Sequence, residues 1–183
     1  MPIWLSFCLS VACIVGVGIL STLIGEKIPR SVFCSNRFPF RSHRWEKGGK
    51  VWEKVGVKRW KDHVPDMSRV RKKKMVSKHL GKCPTADGVH TLAVETCRAE
   101  AIHAILCVLS IGLIFLWSNR WIGVALSALY TFCNLPFIII QRYNRPALLA
   151  LEQRLRAREE RKARLNRAEE EVEQHDENSG FVR

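Results

Sequence analysis

Four ionisable residues crowd the entrance to an apolar run, Glu95, Arg98, Glu100 and His103 in the stretch ETCRAEAIHAILCVL. At 100° per residue on a helix, His103 stands about 80° from Glu95 and about 60° from Glu100, so the three share one broad face with Arg98 at its margin. Ionisable groups at membrane depth are costly to bury and mark a functional site by default. The same residues also suit an ion-pair network that pins the helix against its neighbours. Glu100 and His103 have the Glu-x-x-His spacing of a bundle metal ligand, but one copy is too few for a di-metal site, and no metal is assigned. A second group ends another apolar run: Arg142, Tyr143, Asn144 and Arg145, followed by Pro146. Two guanidinium forks and an amide could hold a phosphate or a polarised carbonyl oxygen. Surface anchoring explains the arginines, with Pro146 opening a new helix at its first turn. Anchoring does not require Asn134 and Pro136 within the run, or Gln141 beside the arginines.

Both groups need elements that bring them to one depth. The chain has 183 residues, of which 47% are hydrophobic and 26% charged, and the two classes are segregated along it. Residues 1–25, 101–119 and 121–141 contain no Asp, Glu, Lys or Arg. As helices, residues 2–24 and 121–141 each reach roughly 30 Å, enough for the hydrocarbon core. The run from Ala101 is shorter and borrows length upstream, where Thr85 or Asp87 can cap a helix that runs on to Trp117. The expected fold is therefore an all-α integral membrane protein with about three transmembrane helices, at 2–24, 98–117 and 121–141. The first span also has the position of a signal peptide, but no base precedes it and it is long for that role, which favours a retained anchor.

Residues 25–100 hold 19 Lys and Arg against 8 Asp and Glu, and residues 142–183 hold 10 against 9. With the N-terminus outside, the basic loop and the C-terminal tail share the cytoplasmic face, as the positive-inside rule requires. Both polar groups then converge at that face. The formal net charge of +13 raises nucleic acid as a partner. The bases flank apolar spans instead, where anionic lipid head groups supply the negative partner, and no nucleic-acid motif is present. The seven cysteines include no CxxC pair and form neither a zinc site nor a disulfide framework.

Within the basic loop, RWEKGGKVWEKVGVKRWKDHVPD interleaves Trp45, Trp52 and Trp60 with lysines. On a helix the three tryptophans fall within about a quarter of the circumference, the pattern of an interfacial amphipathic element broken at Gly48–Gly49 and at Gly56. It serves either as a membrane-surface anchor or as a basic, aromatic mouth for an amphiphilic, phosphate-bearing substrate.

VKRWKDHVPD, the His79–Leu80 pair, ETCRAEAIH and NLPFIIIQRYNRPALLAL together resemble the glycosyl-4,4′-diaponeurosporenoate acyltransferase family, bacterial membrane proteins of carotenoid synthesis, over roughly residues 25–155. The resemblance implies functional positions at Trp60, Lys61, Asp66, His79, Glu95, Arg98, Glu100 and His103. In the last block it implies Asn134, Pro136, Gln141, Arg142, Tyr143, Asn144, Arg145 and Pro146. It further implies a bacterial cell-membrane enzyme without a cofactor, taking a fatty acyl group from acyl-CoA or acyl-carrier protein to a hydroxyl of a glycosylated lipid. A base must take the hydroxyl proton while cationic or amide donors hold the carbonyl oxygen. The expected base is His103, oriented by Glu100 or Glu95, with His79 as the substitute. Arg142, Asn144 and Arg145 are expected to bind the thioester's phosphate or the oxyanion. The usual His-x4-Asp acyltransferase pattern is missing. These features form a membrane-embedded domain over 1–155.

Residues 156–183 form a charged, solvent-exposed tail, with Glu152–Arg156 and Glu160–Arg164 as i,i+4 pairs on a solvated helix. Arg158, Lys162 and Glu169 interrupt its heptad seam and argue against a coiled coil. A tail of this kind also suits the rival class, a non-enzymatic membrane scaffold. Protomer association is not readable from the sequence.

Overall fold

The computed structural model describes residues 2–64 and 84–180. Every regular element among them is helical. Helix α1 is Ile3–Lys27, the short helices α2 and α3 are Lys50–Glu53 and Val57–Trp60, α4 is Ala86–Leu109 and α5 is Arg120–Gly180. Three stretches, Ile3–Lys27, Ala86–Leu116 and Arg120–Glu171, are long and apolar enough to cross a membrane. Asp66, His79 and the basic run after Pro65 lie outside the described residues.

Helix α1 turns most of its apolar side chains outward and buries only Ser6, Ser10 and Gly25. Small residues let apolar helices approach closely where no hydrophobic effect drives them together. Trp117 Nε1 donates to Ser10 Oγ at 2.9 Å, and at the other end Gly25 lies against Ile102. These two contacts set α1 antiparallel to α4.

Thr85 caps α4, its hydroxyl accepting from the Gly88 N–H at 3.2 Å. The helix tightens to a 3₁₀ turn over Ser110–Leu116 and ends where Trp117 becomes extended, as the sequence suggests. The chain then reverses within a few residues into α5. Gly123 makes that reversal possible: a Cβ there would stand 2.6 Å from Ile114 Cα and 3.0 Å from two backbone oxygens.

Helix α5 runs unbroken through Pro136 and Pro146. Pro146 is thus interior and does not open a new helix. It removes one N–H and leaves the Arg142 carbonyl without its helical donor, but bonds from Arg142 and Arg145 before it and from Glu152 after it tie both flanks to α4. Antiparallel pairing of α4 and α5 continues past the apolar region. Glu152 Oε1 meets His90 Nδ1 at 3.0 Å, and Glu159 accepts from the Ala86 N–H at 3.3 Å. The distal part of α5 is solvent-exposed through residue 171.

Between α1 and α4 the chain folds back over the basic end of the pair. Phe33 packs with Val94 and Cys97, joined by Ile28, Phe40 and Ala101. The tryptophan-rich stretch forms short helical turns, broken where Lys47, Gly48, Gly49 and Gly56 take positive φ. Trp45 meets Trp52 edge-on at 5.5 Å, whereas Trp60 turns away and donates to Val55 O at 3.0 Å. Gly49 is required twice over: its φ is +92°, and a Cβ would lie 3.0 Å from Tyr143 O.

Gly123→Ala is expected to destabilise the protein by about 1–3 kcal/mol, because backbone and not a flexible side chain must move. Gly16→Ala, which meets open space, should cost nothing. Thermal melting of the two detergent-solubilised variants checks the contrast.

Candidate active site

The polar residues of α4 meet those of α5 in a ladder graded by charge. At its basic end Arg145 is 2% exposed and directs Nε to Thr96 Oγ1 at 2.9 Å, Nη1 to the Phe40 carbonyl at 2.6 Å and Nη2 to Glu100 Oε2. Arg142 bonds Glu100 Oε1 at 2.8 Å, Glu46 Oε1 at 2.9 Å and the Pro39 carbonyl at 2.9 Å. Two carboxylates and two guanidiniums thus balance in a nearly closed site, where an unmatched charge would be costly.

Glu46 reaches the cluster from the turn at Arg44–Gly49. Its other oxygen accepts from the His43 N–H at 2.6 Å. Burial works against its charged form, but Arg142 and the His43 N–H outweigh it and hold the carboxyl below its ordinary value.

Glu95 belongs to a different neighbourhood. It bonds Arg30 Nε at 3.1 Å and Arg98 Nη1 at 3.2 Å, facing the end of α1. The expected common face of Glu95, Glu100 and His103 is therefore divided between two partners, α1 for the first and α5 for the others.

Deeper in the ladder an imidazole meets an amide. Asn134 Nδ2 donates to Tyr130 O at 2.9 Å, which turns its Oδ1 toward His103 Nδ1 at 2.8 Å. A carbonyl oxygen can only accept, so Nδ1 carries the proton, and Nε2 is the nitrogen that gains or loses one as the ring changes charge. Phe137 stacks on the ring, 4.5 Å between centroids and 9° from parallel. The sequence suggested Glu100 or Glu95 as the orienting group; both carboxylates are engaged by arginines, and Asn134 fills that position. Further still from the basic end, Ser110 Oγ lies 3.1 Å from Ser127 Oγ and 3.2 Å from Thr131 Oγ1.

Of the remaining sequence candidates, Gln141 is buried on α5 and Asn144 is half-buried beside the arginines. Lys61 places Nζ 5.4 Å from the Tyr143 ring centroid. Trp60 lies in the same overlying segment, outside the ladder.

Comparison with known proteins assigns the chain to a family. The model of the family described as glycosyl-4,4′-diaponeurosporenoate acyltransferase matches residues 36–154. The chain belongs to that family. Relatives of that name from Staphylococcus aureus strains N315, bovine RF122 / ET3-1 and USA300 are each 34% identical over 139 residues, 75% of this chain and 82% of theirs. No solved structure matches. The matched stretch contains both carboxylates, both guanidiniums and the His103–Asn134 pair of the ladder, so this acyltransferase carries its polar interior within the family region.

Glu46, Thr96 and Arg30 take part in these polar contacts and were missed by sequence reading. One signal for Glu46 existed: two buried arginines facing a single glutamate need a second carboxylate, and Glu46 is the lone acid among the bases of residues 41–50.

Because the folded pKa of Glu46 lies below the ordinary 4.5, its contribution is complete above 4.5 and is lost as pH falls through the lower folded value. Glu46→Gln is expected to cost about 1–3 kcal/mol at neutral pH and to flatten the acid limb of a melting-temperature profile. An acid limb as steep as wild type would assign that limb to other carboxylates.

Proposed function

We propose that this acyltransferase moves a fatty acyl group from a thioester, carried by coenzyme A or an acyl-carrier protein, to a hydroxyl of a glycosylated lipid. It works in a bacterial cell membrane, with the N-terminus outside and the C-terminus in the cytoplasm. The charge distribution supports that orientation, and the names of the relatives support a glycosylated acceptor.

The observation that carries the chemistry is the chain of hydrogen bonds from His103 through Asn134 to Tyr130 O. It holds the imidazole in the tautomer whose Nε2 accepts a proton. In this reading His103 Nε2 takes the acceptor hydroxyl proton as the oxygen attacks the thioester carbonyl. The C–O bond forms, a tetrahedral oxyanion develops, and the C–S bond breaks. The departing thiolate then takes the proton from the imidazolium, which returns His103 to its starting state.

Asn134 is the positioning residue, and Phe137 fixes the ring plane. Glu100, Arg142 and Arg145 hold α4 and α5 at the spacing that brings the imidazole and amide together. Asn144 and Gln141 lie beside them on α5, about two to three turns from Asn134. Trp60, Lys61 and Tyr143 cover the basic end, with Asp66 and His79 in the same loop as further substrate-handling residues.

His103→Ala is expected to lower acyl transfer by a factor of about 10² to 10⁴ while leaving the protein in the membrane. Asn134→Ala should retain more activity and shift the pH profile of kcat/KM, because the tautomer is no longer imposed. Mass spectrometry of lipid extracts from cells producing each variant reads the acylated glycolipid directly. Undiminished product from a membrane-inserted His103→Ala protein would remove His103 from the base role.

A further inference from the structure

The ladder neutralises Arg142 and Arg145 within itself, and the spare cationic donors lie elsewhere. A cleft of about 450 Å³ opens where α1 ends, between Lys27, Arg30, Glu95, Arg98 and Ile102. Lys27 is exposed there. Arg30 is half exposed and uses only Nε, on Glu95, so among the described residues both its Nη groups are unengaged. Arg98 gives Nη1 to Glu95 and Nη2 to Ile28 O at 3.4 Å. Its Nε is buried with no hydrogen-bond partner among the described residues, and its guanidinium lies over the Phe33 ring, 5.7 Å from the centroid.

These facts combine into one site. Glu95 spends both oxygens aligning the two guanidiniums, so the cleft keeps an excess of donors. Among the described lining residues, Lys27, Arg30 and Arg98 outnumber Glu26 and Glu95 by one charge. Planar guanidiniums with paired donors suit a tetrahedral oxyanion better than a lone ammonium does. The position, at the boundary between the apolar run of α1 and its first charged residues, is where phosphate lies in a bilayer.

We infer that this cleft binds a phosphodiester or phosphate monoester through Arg30, Arg98 and Lys27. Two sources share that chemistry: the phosphorylated arm of the acyl donor and the head group of a phospholipid. Assignment to the donor rests on the acyltransfer reading above; the anion site itself does not.

The test uses the full chain in maltoside micelles, which contain no phosphate. Binding is measured for a non-hydrolysable thioether analogue of acyl-4′-phosphopantetheine, for the same analogue without its phosphate, and for phosphatidylglycerol. Wild type is expected to bind the phosphorylated analogue about tenfold or more tightly than the other, the gain of one charge-assisted contact. Arg30→Ala should erase that difference in a protein that still folds, with a lowered melting temperature because Glu95 gives up one partner, and Arg98→Lys should reduce it. If Arg30→Ala instead weakens only phosphatidylglycerol binding, the site stands and its ligand is a lipid head group. Equal affinities in wild type and Arg30→Ala for all three probes overturn the site. Acyl product formed by a wild type that shows no phosphate preference would sink this site alone. Phosphate preference without any acyl product would sink the acyltransfer reading and leave the site.

Discussion

Glu100 shares one carboxylate between two guanidiniums on the facing helix, and the rest of the molecule is arranged around that sharing. Three charges of this sign balance would leave one positive charge in a poorly solvated interior, a state costing several kcal/mol. Glu46 restores neutrality, but it can do so only if the loop after α1 folds back across the helix pair. The carbonyls of Pro39 and Phe40 fill further donor positions on the same arginines. The conformation of the loop is thus dictated less by its own apolar content than by what the arginines demand. Gly49, with no side chain and a left-handed backbone, lets the turn approach Tyr143 closely enough to comply.

Polarity along the α4–α5 interface falls off in steps that follow the cost of burial. Ion pairs stand at the basic end, an imidazole paired with an amide lies deeper, and hydroxyls occupy the far end. Each step asks less desolvation energy than the one before. An aspartate in place of Asn134 would put a carboxylate deeper than the ion pairs. The choice of an amide to orient His103 follows from its depth.

Much of this was legible in the sequence, and the exceptions share a cause. The three apolar runs and the cap at Thr85 are local signals, and the breaks at Gly48–Gly49 and Gly56 follow from the backbone freedom of glycine. The polar residues of α4 and α5 were also conspicuous, because charge beside hydrocarbon is conspicuous anywhere. Their pairing was not. Helical angles placed Glu95, Glu100 and His103 on one broad face, but which neighbour each would meet depended on where α1 and α5 came to rest. Pro146 illustrates the same limit: its local preference is for a helix start, and ion pairs on either flank carry the helix through it. Nothing local singles out Glu46, because its partner lies 96 residues onward.

That separation bears on biosynthesis. A ribosome delivers the loop and α4 well before the arginines of α5 exist. Until then Glu46 and Glu100 have no guanidinium to meet, and the loop has no reason to close. The final helix therefore acts as the keystone in time as well as in space: its arrival converts a pair of inserted helices and a loose basic loop into a closed enzyme. A chain truncated before Arg142 would keep its membrane spans and the His103–Asn134 pair but leave Glu46 and Glu100 without the guanidiniums they meet.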